Sequence, residues 1–122
     1  MTTPPAELTL WVEDRVVPAV VVAAGSLIGD HAAALRRVMR RLTEREGPDI
    51  FVDLSKVDFV DSDGLGVLAA AQRRAQRNGG RVTVLSPRPA LSWAMRLAGL
   101  GDMIWEGAPG GATPARVAPS FS

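Results

Sequence analysis

The sequence contains no cysteine, and among its 122 residues there is a single histidine, His31. Without thiols, disulfides, thiol catalysis, iron–sulfur clusters and thiolate zinc sites are excluded together. One histidine also excludes multi-histidine metal sites, and a serine–histidine hydrolase would depend on His31 alone. An excess of one charge is missing too: 14 basic against 13 acidic residues leave a formal charge of +1. No overall field therefore favours nucleic acid, and no direct nucleic-acid partner is expected. The longest uncharged apolar run, Val16 to Ala24, has 9 residues and contains Pro18. A membrane helix needs about 20, so no membrane insertion is expected. The opening Met-Thr-Thr-Pro-Pro carries no positive region followed by an apolar core, which removes a visible secretion signal and makes a cytoplasmic location the expectation.

What is present is enough apolar material for one packed domain. Hydrophobic residues make up 47% and charged residues 22% of the chain, a balance that supports a real core. Residues 1–6 read as a disordered lead. Glu7 to Asp14 alternates, with Leu8, Leu10 and Val12 on one side, as a strand does. Val16 to Ala24 reads as a strand covered on both faces, with Pro18 needing a bulge or an edge near its start. From Asp30 to Glu46, Leu35, Val38, Met39 and Leu42 recur at helical spacing, and Arg36, Arg37, Arg40, Arg41 and Arg45 fall elsewhere on the wheel, as a solvated face. Asp49 to Leu54 is a second buried strand, and a short loop leads to Val57–Val60. Leu65 to Gln76 is a helix stopped by Asn78-Gly79-Gly80, Arg81 to Leu85 a strand, and Leu91 to Ala98 a helix offering Leu91, Met95 and Leu97 to the core. Met103 to Trp105 reads as a last strand, and Trp11, Trp93 and Trp105 as packing residues. Residues 107–122 read as a flexible Gly/Pro-rich tail. The order β-β-α-β-α-β-α-β argues for an α/β layer with a mixed four- to five-stranded sheet: an N-terminal antiparallel hairpin, the remainder largely parallel, and three helices packed on it.

Chemistry concentrates in Val60-Asp61-Ser62-Asp63-Gly64-Leu65-Gly66, where a strand or loop meets a helix. In the plainest reading Ser62 is the N-cap, Asp61 or Asp63 favours the helix dipole, and the glycines shape the entry. Asp-x-Asp-Gly after an apolar run also resembles the nucleophile motif of haloacid-dehalogenase-type phosphatases. That motif normally follows the first strand, with Thr or Val after the glycine; here Leu65 follows Gly64, and no later lysine plus acidic pair completes a magnesium site. A calcium loop counted with Gly64 as its sixth position puts Phe59 and Ala70 where Asp and Glu are needed, so that reading fails.

The longer run Leu54-Ser55-Lys56-Val57-Asp58-Phe59-Val60-Asp61-Ser62-Asp63-Gly64-Leu65-Gly66-Val67-Leu68 resembles the signature of STAS domains of the anti-sigma factor antagonist type: a strand ending in Asp-Leu, a short loop, then Asp-Ser-(Ser/Thr/Asp)-Gly-Leu-Gly opening a helix. Gly79 to Leu85 and Leu97-Ala98-Gly99-Leu100 are similar to the same family, and the likeness covers residues 7–106, the extent expected for the domain. The resemblance implies a STAS-type single domain that is not an enzyme and needs no cofactor. Ser62 matches the serine phosphorylated by a cognate anti-sigma factor, itself a serine kinase, and a serine phosphatase would restore it. The unphosphorylated form would bind the anti-sigma factor and free a sigma factor. Asp61, Ser62, Asp63, Gly64, Leu65 and Gly66 are the implied partner contacts, joined by Ser26 and Ile28 from the segment where members usually carry Gly-Glu-Leu-Asp. This chain has Gly25-Ser26-Leu27-Ile28 there and lacks both acids. The alternative is a constitutive STAS subunit of a larger assembly, such as a lipid-transport ABC complex, in which Ser62 is never phosphorylated.

Overall fold

The computed structural model describes residues 7–105. The expected lead, 1–6, and tail, 107–122, lie outside the described residues. Strand β1 (Thr9–Glu13) turns back into β2 (Ala19–Leu27), and a 3-10 turn (Gly29–His31) opens α1 (Ala32–Thr43). Strand β3 (Asp49–Val60), helix α2 (Ser62–Arg77), β4 (Arg81–Leu85) and α3 (Pro89–Leu97) follow, then a second 3-10 turn, Gly101–Met103. The sheet order is β1-β2-β3-β4, with β1 antiparallel to β2 and the other pairs parallel. Pro18 stands just before β2, after a cis Val17–Pro18 bond, so the strand needs no bulge to accommodate it.

The helices pack on one face. Val21, Val52 and Val84 of the three parallel strands join Leu35 and Met39 of α1, Leu68 of α2 and Met95 of α3 in one cluster. On the opposite face Val20, Val22 and Leu85 form a smaller group with Phe51. Hence β2 is buried through both sets of side chains, as its unbroken apolar run requires.

Three expectations change. Residues 49–60 form one strand, not two pieces: Ser55 N–H donates to Asp53 Oδ1 at 2.9 Å, and the pairing with β2 slips between Val22 and Ala24. This kink shifts the inward phase from Ile50, Val52 and Leu54 to Val57 without ending the ladder. The expected fifth strand is a turn, because Gly101–Met103 coil to bury Met103; Ile104 meets β4 in a single bridge to Val84, whose carbonyl accepts the Trp105 N–H at 2.8 Å. Leu97 and Trp93 are 72% and 65% exposed. Leu91 and Met95 lie one helical turn apart and face inward, whereas two residues beyond Met95 the helix has rotated by about 200°.

Candidate functional site

The site forms where β3 ends and α2 begins. Asp61 keeps an extended backbone (φ −124°, ψ −172°), and its side chain accepts from the Gly64 amide. Asp61, not Ser62, is therefore the N-cap. One carboxylate oxygen takes the Gly64 N–H at 3.0 Å, and the other takes the Gly29 N–H at 2.9 Å, across to the turn that follows β2. The Gly64 amide above all holds the Asp61 carboxyl below its ordinary range, against the opposing effect of burial and with a further contribution from the Gly29 amide. Each oxygen thus accepts one backbone amide, and the carboxylate ties the turn after β2 to the start of α2.

Ser62 is the first residue of α2 and is exposed, as is Asp63. Freed from capping, Ser62 stands exposed at the rim. Gly64 is buried, and a Cβ there would stand 2.1 Å from the Leu27 carbonyl oxygen and 2.8 Å from Leu27 Cγ. The first turn of α2 thus lies directly on the end of β2, an approach only glycine permits. Leu65 is half-buried and packs against the core. Gly66 is exposed, and a Cβ there would meet nothing within 4 Å.

The two segments implied as partner contacts separate here. Ile28 is half-buried beside Gly29, at the rim. Ser26 is not on the surface: it is 1% exposed, and its hydroxyl has no hydrogen-bond partner among the described residues. Strand β2 continues through Leu27 and pairs Ser26 with Phe59, which carries Ser26 inside. His31 precedes α1 without a side-chain capping bond, and its Nδ1 is buried without a hydrogen-bond partner among the described residues.

Sequence periodicity missed what stands opposite Ser62. A cavity of about 300 Å³ between α1 and α2 is lined by Arg36, Met39 and Arg40 from α1 and by Ser62, Asp63, Gly66, Val67, Ala70 and Arg74 from α2. Along α2, residues 62, 66, 70 and 74 recur every fourth position and make one ridge. Its small members leave the groove open, and Arg36 and Arg40, also four apart, form the opposite wall. Phe59, at the end of β3, was also missed and is 60% exposed. Among the described residues no group of three or more His, Cys, Asp or Glu could hold a metal ion, and no helix is long and apolar enough to cross a membrane.

Comparison with known proteins agrees with this architecture. A family model described as "Mlab, STAS domain" matches residues 12–105. Among solved structures, an anti-sigma factor antagonist from Mycobacterium paratuberculosis superposes with a TM-score of 0.71 at 27% identity, covering 86% of this chain and 91% of that one. The unphosphorylated anti-sigma factor antagonist SpoIIAA gives 0.69 at 20% identity over 80% of this chain and 86% of its own. SpoIIAA of Bacillus in its phosphorylated form gives 0.66 at 20% identity over 80% and 89%. At that identity the SpoIIAA likeness speaks for the fold.

Proposed function

The chain belongs to the STAS-domain family, and from that premise we propose that it is an anti-sigma factor antagonist switched by phosphorylation of Ser62. In this reading the unphosphorylated protein binds an anti-sigma factor that is a serine kinase, and a sigma factor is released. The kinase moves the γ-phosphoryl group of ATP to Ser62 Oγ; the hydroxyl loses its proton and ADP departs. A serine phosphatase reverses the state. The chain is a substrate and a binding partner in the cytoplasm, not a catalyst, and ATP is held by the kinase.

The observation that carries this reading is the division of labour between neighbours: Asp61 caps α2, and Ser62 is left exposed on its first turn. A kinase can reach the hydroxyl without opening the helix, and phosphate there leaves the capping bonds intact. The rim around it offers a contact surface of Asp63, Gly66 and Ile28, with Phe59 as an exposed apolar anchor. Phosphorylation adds about −1.5 to −2 charge. A partner that buries the rim must then desolvate a dianion, at several kcal/mol unless it is paired.

Incubation with candidate serine kinases and ATP, read by mass spectrometry, should place one phosphate on Ser62 and end binding to the partner. Phosphate on Thr43 or Thr83 instead overturns the assignment. The constitutive-subunit reading has one observation in its favour: Ser26, at a position where the family usually carries an acid, is buried at the end of β2 and offers no contact surface. A complex that persists with no kinase acting on Ser62 would favour it.

A further inference from the structure

The arginines facing Ser62 have no role in the reading above. Among the described residues, Arg41 and Arg45 are paired with Asp14, and Arg74 donates to Thr43 Oγ1 at 3.2 Å. The Arg36 and Arg40 side chains are exposed and make no hydrogen bond or ion pair among the described residues. They line the same cavity as Ser62 and Asp63. The ionisable groups around that cavity are three guanidiniums against one carboxylate. Asp61, the next acid along the chain, is turned away into its bonds with the Gly29 and Gly64 amides.

Two positive charges in excess, in a cavity of about 300 Å³ beside a free hydroxyl, match what a phosphate monoester brings, about −1.5 to −2. We propose that the α1–α2 groove is the receptor for phosphate on Ser62, which Arg36 and Arg40 hold within the same chain. The inference rests on Ser62 being the phosphoacceptor. The guanidinium fork pairs with phosphate oxygens in a bidentate way that a lysine would not match. Exposed ion pairs are weak when their members must first meet, but here the phosphate is tethered at the groove's edge, so its local concentration is high without a further binding step. Gly66 and Ala70 keep the floor of the groove free of side-chain bulk. Held there, the phosphate would take Arg36 and Arg40 out of reach of a partner's acidic groups as well as filling the space between the helices. Release would then combine a new charge with the loss of two cationic contacts.

The test uses the full chain with phosphoserine encoded at position 62 during translation, so no kinase is required. Phosphorus NMR follows the second ionisation of the phosphate with pH; in an unpaired phosphoserine it lies near about 6. Pairing favours the dianion and should lower it. In Arg36→Gln/Arg40→Gln it should rise again by roughly half a unit or more, about a threefold change in proton affinity. Arg37→Gln, on the same helix but outside the groove, should leave it unchanged, which separates the groove from the general field of α1 and from the helix terminus. Coincident curves for the parent and the double variant overturn the proposal, as does an equal shift in Arg37→Gln. Should the double variant fail to fold, the two single substitutions carry the same comparison. Failure here leaves Ser62 open to a kinase, whereas failure of the kinase assay leaves this measurement standing.

Discussion

Replacing Gly66 and then Gly64 by alanine separates what α2 needs in order to fold from what its exposed face needs to remain free. At Gly66 the added methyl meets nothing within 4 Å, and the residue lies inside a 16-residue helix. Alanine there removes the conformational cost of a helical glycine, worth about 0.5–1 kcal/mol. For a domain of this size that raises the melting temperature by about 2–8 °C. At Gly64 the same methyl falls 2.1 Å from a backbone oxygen, which no rotamer change can relieve. The start of α2 must lift off β2, and overpacking of this kind costs about 1–3 kcal/mol or more. Urea unfolding of both variants reads the difference, with unchanged slopes confirming that stability alone has moved. The partner's affinity for Gly66→Ala then supplies the functional half. A more stable protein that binds at least tenfold more weakly means that the bare backbone at Gly66 serves the interface. Destabilisation of Gly66→Ala by more than about 0.5 kcal/mol, or full stability of Gly64→Ala, would refute the packing described for the first turn of α2.

Ser62→Ala should remain unphosphorylated, keep partner binding, and change stability by no more than about 0.5 kcal/mol, since it removes no cap and alanine is the better helix former; a loss above about 1 kcal/mol in thermal unfolding would return the capping role to Ser62. Asp63→Ser should alter partner affinity by less than about 1 kcal/mol, as expected for an exposed charge; abolished binding in a calorimetric titration would make Asp63 a direct contact. Ser62→Asp should weaken binding in part, with the loss shrinking as salt rises because a rim charge is screened over about 8–10 Å, and Ser62→Leu should be tolerated better; the reverse order, independent of salt, would make release steric. The Asp61 carboxyl titrates below its ordinary range in the folded chain, so its contribution is complete above the unfolded value of about 3.9 and fades as pH falls through the lower folded value. Asp61→Asn should therefore narrow its stability deficit on acidification below about pH 4, and a deficit unchanged from pH 7 to pH 3 in denaturation curves would contradict the clamp.

The strand and helix order was readable because each element carries its own period, and the Asp-Ser-Asp-Gly entry to α2 was readable because turn chemistry is local. The identity of the cap was not. It depends on whether β3 ends at Val60 or one residue later, and a shift of one position exchanges the roles of Asp61 and Ser62. The kink at Asp53–Ser55 was hidden for a related reason, since a side chain bonding to the backbone two residues on lets a strand change phase without breaking. Ser26 looked accessible by its place after the expected end of β2 at Ala24, yet pairing with β3 continues through Gly25, Ser26 and Leu27 and draws it inward. The exposure of Leu97, in contrast, follows from helix geometry alone once Leu91 and Met95 are taken as the inward pair. Least visible was the meeting of Arg36 and Arg40 with Ser62. It arises from the packing of α1 against α2, and each helix read by itself shows only a polar face.

The Asp61 carboxylate bonds at once to an amide three residues ahead and to another 32 residues back. The two glycine amides therefore share one acceptor side chain. The turn after β2 and the first turn of α2 should accordingly open together, with matched hydrogen-exchange protection as the expected outcome, although they lie far apart along the chain. A partner binding this edge, as proposed, would meet two segments whose relative position was set when the chain folded. Little ordering entropy remains to be lost on association.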